Sequence, residues 1–329
     1  MPRLESSTAS RSGGRWWLLI AVLFLVPVPA IADEVPGQKT FERPEEAVQA
    51  LGDAARRADS AAMLAILGPE AQQVVSSGDA VADAEEREWF ASVASAPMTF
   101  RKLPNGAMIA QVGREAWPFP IPLVKSGDRW RFDTAAGKDE LLSRRIGRNE
   151  LTAISVARAY VAAQREYAAK DRTGSGKRTY AQKFRSEPGK HDGLYWDPKD
   201  PERSPLGPLV ADASDGGYAH AQSAEGPRPY HGYLYRILTA QGPSAPGGAR
   251  SYIKDGQMTG GFALVAYPAA YRSSGIMTFI VGPEDIVFQK DLDDKSAELG
   301  KAMTTYNPDE TWTVARETPP APVRRLRPK

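Results

Sequence analysis

From Lys138 to Lys170 the chain reads as strongly helical, and on either side of that stretch the apolar residues recur with a period of two. Leu151, Ile154, Val156, Tyr160, Val161 and Tyr167 line a broad apolar stripe along it, the mark of a helix face turned to a core. Helices followed by antiparallel strands, twice over, predict an α+β protein rather than a parallel α/β sheet. Gly147 is the expected break, with Asn149 as cap of the helix's second part. The expected units are therefore residues 33–147 and 148–317.

The first unit opens with helices. Pro44 suits a first helical position, and Val48, Leu51 and Ala55 follow at helical spacing. Asp59 caps a second helix carrying Met63, Ile66 and Leu67, which Gly68-Pro69 ends. A third, Glu85 to Val93, sets Trp89, Phe90 and Val93 on one side. Two hairpins follow, turning at Pro104-Asn105-Gly106 and Ser126-Gly127-Asp128. Pro118, Pro120 and Pro122 confine the strand from Trp117 to an edge. Helices on a curved antiparallel meander resemble the cone-shaped domains of the nuclear-transport-factor-2-like superfamily.

The second unit places its helix on another antiparallel sheet, with strands expected at Tyr230–Leu238, Phe262–Tyr267, Met277–Val281 and Ile286–Gln289. Between helix and sheet lies a Gly/Pro-rich stretch, 171–229. Its interleaved Tyr180, Phe184, Leu194, Tyr195, Trp196, Leu206 and Leu209 predict an ordered, packed loop rather than a linker. A basic, proline-rich tail, 318–329, is expected to be disordered.

Residues 1–32 read as a cleaved secretory signal peptide. Arg3, Arg11 and Arg15 precede an apolar run from Trp16 to Val28, and Ala30-Ile31-Ala32 supplies a small-x-small site, so cleavage is expected after Ala32. The run is shorter than a spanning helix and broken by Pro27, which argues against a membrane anchor. Without an Arg-Arg pair the general secretory route is expected, and the product is periplasmic or secreted with no membrane span. Removing Arg3, Glu5, Arg11 and Arg15 leaves a chain with equal numbers of acidic and basic residues, no footprint for nucleic acid. A chain with no cysteine has no disulfide scaffold, thiolate metal site or thiol nucleophile.

Several stretches carry a resemblance across nearly all of the mature chain. They are Trp117-Pro118-Phe119-Pro120-Ile121-Pro122, Arg145-Ile146-Gly147-Arg148-Asn149-Glu150-Leu151, Asp192-Gly193-Leu194-Tyr195-Trp196, Ser204-Pro205-Leu206-Gly207, Tyr230-His231-Gly232-Tyr233 and Gly260-Gly261-Phe262 to Pro268. Together they resemble the exported bacterial family termed domain of unknown function 2950, which implies no particular activity. The helix from Asn149-Glu150, with Tyr267-Pro268, Tyr271, Gly275 and Phe279 after it, resembles type IV pilin-like globular domains, where one long helix packs on an antiparallel sheet. Arg272 stands where that pattern has glycine, and the pilin stem is replaced by a whole upstream unit.

Chemistry is sparse. Gly174-Ser175-Gly176-Lys177 lacks the first glycine and the final Ser/Thr of a phosphate loop. Ser251-Tyr252-Ile253-Lys254 has S-x-x-K spacing but neither the helix nor the partner motifs of that chemistry. His231, one of three histidines, has no nucleophile elbow to serve. Asp192, Asp197 and Asp200 admit an acid–base pair near Trp196, although Asp-Gly and Asp-Pro are also ordinary turn pairs. No cofactor or metal is expected. The reading ranked first is a non-catalytic envelope interaction or assembly module, binding another envelope protein or a cell-surface polymer. Tyr195, Trp196, Tyr230 and Tyr233 are the candidate surface, although core packing of the long loop onto the sheet is the default reading of the same aromatics. An envelope hydrolase using the carboxylates near Trp196 is the alternative. A ligand binder whose cavity is lined by Trp89, Phe90, Trp117 and Trp130 comes third.

Overall fold

The computed structural model describes residues 35–172, 174, 176–207, 222–223 and 226–315. The expected leader and tail lie outside them, as does the middle of the long loop.

Proline at the first turn and apolar residues at helical spacing produce α1 (Pro44–Arg56), which buries Val48, Leu51 and Ala55. Helix α2 (Ser60–Leu67) starts where the Asp59 side chain accepts the Ala62 N–H at 2.9 Å, and stops at Gly68 with φ +91°. A short turn of helix, α3 (Gln72–Val75), leads to α4 (Ala80–Ala94). Helix α4 begins earlier than the sequence pattern implies, because Asp79 caps it, and it turns Phe90, Ala91 and Ala94 inward while Trp89 stays exposed. Both hairpins form: β1 (Thr99–Lys102) with β2 (Met108–Val112), and β4 (Leu123–Ser126) with β5 (Arg129–Phe132). The two-residue β3 (Trp117–Pro118) pairs only with β2, since the prolines that follow it cannot extend the ladder. The first core lies between these helices and the sheet, around Leu51, Ile66, Phe90, Ile121, Leu123 and Phe132.

Helix α5 (Thr134–Ala168) is a single helix of 35 residues. It does not break at Gly147, and Asn149 is no cap. The Asn149 side chain is buried inside the helix run and donates to the Ser274 carbonyl at 2.8 Å. A glycine in a helix costs about 1 kcal/mol relative to alanine, and contacts with both units outweigh that. Its first half packs beside α3, and its second half buries Ile154, Val156, Tyr160, Val161 and Tyr167.

A five-stranded antiparallel sheet receives that second half. In chain order its strands are β6 (Tyr233–Leu238), β7 (Ala263–Pro268), β8 (Met277–Val281), β9 (Val287–Asp291) and β10 (Thr313–Val314), and they lie side by side as β10-β9-β8-β7-β6. Every residue of β7 is buried, as expected of a strand covered on both faces by α5 and by α6 (Ser296–Ala302). Gly300 permits the close approach of α6, because a Cβ there would lie 2.3 Å from the Tyr267 ring. In the turn between β7 and β8, Arg272 adopts φ +59°, the left-handed conformation that a glycine would take without strain.

The described part of the long loop is fastened to this second core. Gln164, fully buried on α5, donates to the Ala181 carbonyl at 2.8 Å and accepts its N–H at 2.9 Å. Tyr180 bridges to Met258, and Leu194, Trp196 and Leu206 are buried among the residues of the helix and sheet.

Candidate functional site

A cavity of about 400 Å³ opens in the first unit, between α1, α2, α3, α4 and the first half of α5. That is within the range of about 300–1,000 Å³ typical of small-molecule sites. Leu51, Ala55, Met63, Leu67 and Val75 form its apolar floor, and all five are buried. Its aromatic wall is continuous. Phe90 lies 5.1 Å from Phe119, Phe119 lies 6.1 Å from Trp117, and Trp117 meets Trp89 edge-on at 4.8 Å. Trp89 at the mouth is 46% exposed, unusual for so large an apolar ring. Of the four aromatics that the sequence pointed to, three line this cavity. Trp130 does not: it is buried in β5 with the Lys125 ammonium 5.7 Å from its ring centre.

The rest of the wall is charged. Arg145, buried on α5, donates to the Gln73 and Val74 carbonyls at 2.7 Å each and to Glu86 at 2.8 Å, so it satisfies the exposed end of α3 and ties α4 to α5. Arg148 takes the other oxygen of Glu86. The Arg144 guanidinium lies 5.5 Å from the Trp117 ring centre and pairs with Glu140. Asp83 accepts the Ser77 N–H with both oxygens, at 3.0 and 3.1 Å. Asp83 and Glu86 are thus held by donors of the protein itself, and the hydroxyl of Ser77 next to Asp83 accepts the Asp79 N–H.

The aromatic set at Tyr195, Trp196, Tyr230 and Tyr233 does not form one exposed surface. Trp196 and Tyr233 are buried, and Tyr195 and Tyr230 are half-buried. The Trp196 indole donates to the Glu202 carbonyl at 2.6 Å, stacks on His191 at 4.2 Å and lies under the Arg172 guanidinium at 5.0 Å. The Tyr233 hydroxyl donates to the Met277 carbonyl at 2.9 Å, and burial raises its pKa well above the usual tyrosine value. Packing, not display, accounts for both.

The neighbouring carboxylates are paired as well. Asp200 accepts from His191 at 2.9 Å, and that bond and the Glu202 N–H hold it below its ordinary range. Lys170 and Arg172 lower Glu202 in the same way. Partial burial pushes Asp192 up, but Lys183 at 2.6 Å and the Glu187 N–H outweigh it and leave it lowered. Asp197 is exposed and accepts the Lys199 N–H, an ordinary turn bond. An acid catalyst needs a raised pKa, and Asp192, Asp200 and Glu202 are shifted the other way. Ser251 bonds its own neighbour, the Ile253 carbonyl, from a strand, and Lys254 shares no helix with it. His231 sits at φ +47° in the turn before β6.

The model of the family described as protein of unknown function (DUF2950) matches residues 38–315. The chain belongs to this family. That match spans both cores, the cavity and the loop cluster, so all of them lie within the family's shared region. No curated protein and no solved structure matches the chain.

The sequence carried no direct signal for the arginines of the cavity. Arg145 and Arg148 stood out only within the stretch that carries the family resemblance, Arg144 not at all, and only the positions of α3 and α4 make them a wall.

Proposed function

We propose that the protein is an exported, non-catalytic binding protein of the cell envelope that holds an apolar or amphipathic small molecule in the cavity between α1 and α5. The observation that carries this reading is the cavity itself, with its apolar floor, its aromatic wall and an exposed tryptophan at the mouth. Export is supported by the charged, apolar and small-x-small segments of residues 1–32, and mass spectrometry of the envelope-derived protein should find Asp33 at the N-terminus. Binding is tested with the neutral fluorophore N-phenylnaphthylamine, whose emission rises in an apolar site. Ala55→Phe places a ring in the cavity and should abolish that rise without lowering the melting temperature. Full probe binding by this variant would move the site elsewhere.

A second reading is an interaction or assembly module, whose partner is another envelope protein or a cell-surface polymer. Trp89 favours it, since the same mouth would accept an apolar side chain of a partner. Crosslinking in intact cells decides this: capture of one macromolecule that Trp89→Ala prevents would support it.

A further inference from the structure

We propose that the occupant of the cavity is a single-chain anionic amphiphile, with its acyl tail on the floor of Leu51, Ala55 and Met63 and its carboxylate at the arginine rim. This rests on the reading of the cavity as a ligand site.

Charge decides the head group. Four arginines line the cavity against three acids, Asp83, Glu85 and Glu86. Asp83 is turned away to the Ser77 N–H, and its two oxygens are occupied there. Glu86 is a single carboxylate shared by Arg145 and Arg148, which leaves this trio one positive charge in excess. Arg87, half-buried one residue along α4, has no hydrogen bond or ion pair among the described residues. Glu85 is the one acid of the wall left uncommitted, and its side chain is exposed. Arg144 is matched by Glu140, so the guanidinium donors at the mouth without a carboxylate of their own are those of Arg87 and of the Arg145–Arg148 pair that shares Glu86; Arg87 and Arg148 stand beside apolar surface. A guanidinium there binds a carboxylate through charge-assisted hydrogen bonds, strengthened by the low-dielectric wall behind it.

Size and shape decide the tail. A cavity of about 400 Å³ is of a size to take one medium acyl chain. The floor comes from three different helices, α1, α2 and α3, and does not run along one helix face as a peptide groove would. Arg145 also lines the cavity, but its guanidinium is used by Gln73, Val74 and Glu86, so the head group is left to Arg87 and Arg148.

The experiment is displacement of N-phenylnaphthylamine from the purified protein by three ligands of equal chain length: decanoate, decanol and decyltrimethylammonium. Decanoate should displace the probe at a concentration about tenfold below decanol, and the cation should be weakest, since a rim-exposed charge pair contributes about a factor of ten in affinity. Arg87→Gln combined with Arg148→Gln should bring the decanoate-to-decanol ratio close to one. Arg148 is exposed, Arg87 is half-buried with no hydrogen bond or ion pair among the described residues, and Arg145 still holds Glu86, so the fold is retained; a circular dichroism melt verifies this. Equal displacement by all three ligands, or preference for the cation, overturns the anionic head while leaving the ligand site intact. Failure of the probe and of all three ligands to bind removes the ligand site itself, and this inference with it.

Discussion

The buried carboxylate of Asp79, at the N-terminal end of α4, accepts the backbone N–H of Gly232 at 2.8 Å across 153 residues of sequence. Its other oxygen accepts the N–H groups of Val81 and Ala82, so one side chain both starts a helix of the first unit and fixes the turn before β6 in the second. Gly232 is required there. Its φ is +75°, and a Cβ would stand 2.5 Å from the Asn149 amide. Asp79→Ala removes a helix cap and strands a buried donor, together about 3 kcal/mol of stability. Asp79→Asn keeps one acceptor and should cost about half as much. Midpoints of denaturant unfolding give both values, and a loss below about 0.5 kcal/mol for alanine would show that the two units are held together by other contacts.

Two glycines of α5 should respond to alanine with opposite sign. A Cβ on Gly137 would lie 2.3 Å from the Pro120 carbonyl oxygen and 2.5 Å from the Ile121 Cα, backbone atoms that cannot yield cheaply. Gly137→Ala is expected to cost about 3 kcal/mol. Gly147 has nothing within 4 Å of its Cβ position, so Gly147→Ala gains helix propensity of about 1 kcal/mol. Thermal melts of the two variants check the pair. A destabilising Gly147→Ala would mean that the helix bends there in solution.

Glu150 makes stability depend on pH in a predictable direction. Burial raises its pKa above the ordinary 4.5, with a further push from Asp291, while the Ile276 and Met277 N–H groups, each 3.0 Å from one of its oxygens, pull the other way. A carboxyl whose folded pKa is raised contributes stability that is whole below pH 4.5 and is lost as pH rises through the folded value. Glu150→Gln keeps an acceptor for both N–H groups and carries no charge at any pH. The stability of the natural protein relative to this variant should therefore fall as pH rises above 4.5 and then level off. Asp192, Asp200 and Glu202, lowered in pKa, act in the opposite sense in both proteins and cancel in the difference. A difference that is flat or rises with pH would show that the Glu150 carboxylate is solvated.

How much of this was legible in the sequence varied with the distance over which each feature is decided. Local signals held: Pro44, the Asp59 cap, the Gly68 stop and both hairpin turns depend on neighbouring residues, and all fall where the pattern placed them. Gly147 misled because its penalty is local, whereas the contacts that keep α5 straight come from α3 on one side and β8 on the other. The start of α4 was missed because the residues just after Asp79 are small and show no apolar period. The cavity was half visible. Its aromatics stood out by type, but Trp89 and Phe90 come from α4 and Trp130 from β5, and which of them border the same cavity is decided by how helix and sheet pack. Tyr195, Trp196, Tyr230 and Tyr233 had the composition of a binding surface, and only packing distinguishes that from a core.

Trp196 gives that distinction a measurable form. Its indole closes a stack of His191, Trp196, Arg172 and Tyr167, with Arg172 5.2 Å from the Tyr167 ring centre and ion-paired to Glu202. Truncation to alanine empties the centre of this stack, leaves the Glu202 carbonyl unpaired and should cost about 3 kcal/mol, the scale of a buried aromatic. Trp196→Phe keeps a ring between His191 and Arg172 but loses the indole N–H, so it should cost about 1 kcal/mol. Limited proteolysis should then cut Trp196→Ala, and not Trp196→Phe, within residues 183–206 before any other site. The binding-surface reading makes the opposite forecast: an unchanged melt and unchanged proteolysis for Trp196→Ala, with loss only of a captured partner. Because the indole is 4% exposed, too little of it reaches solvent to anchor a partner without unfolding the loop first.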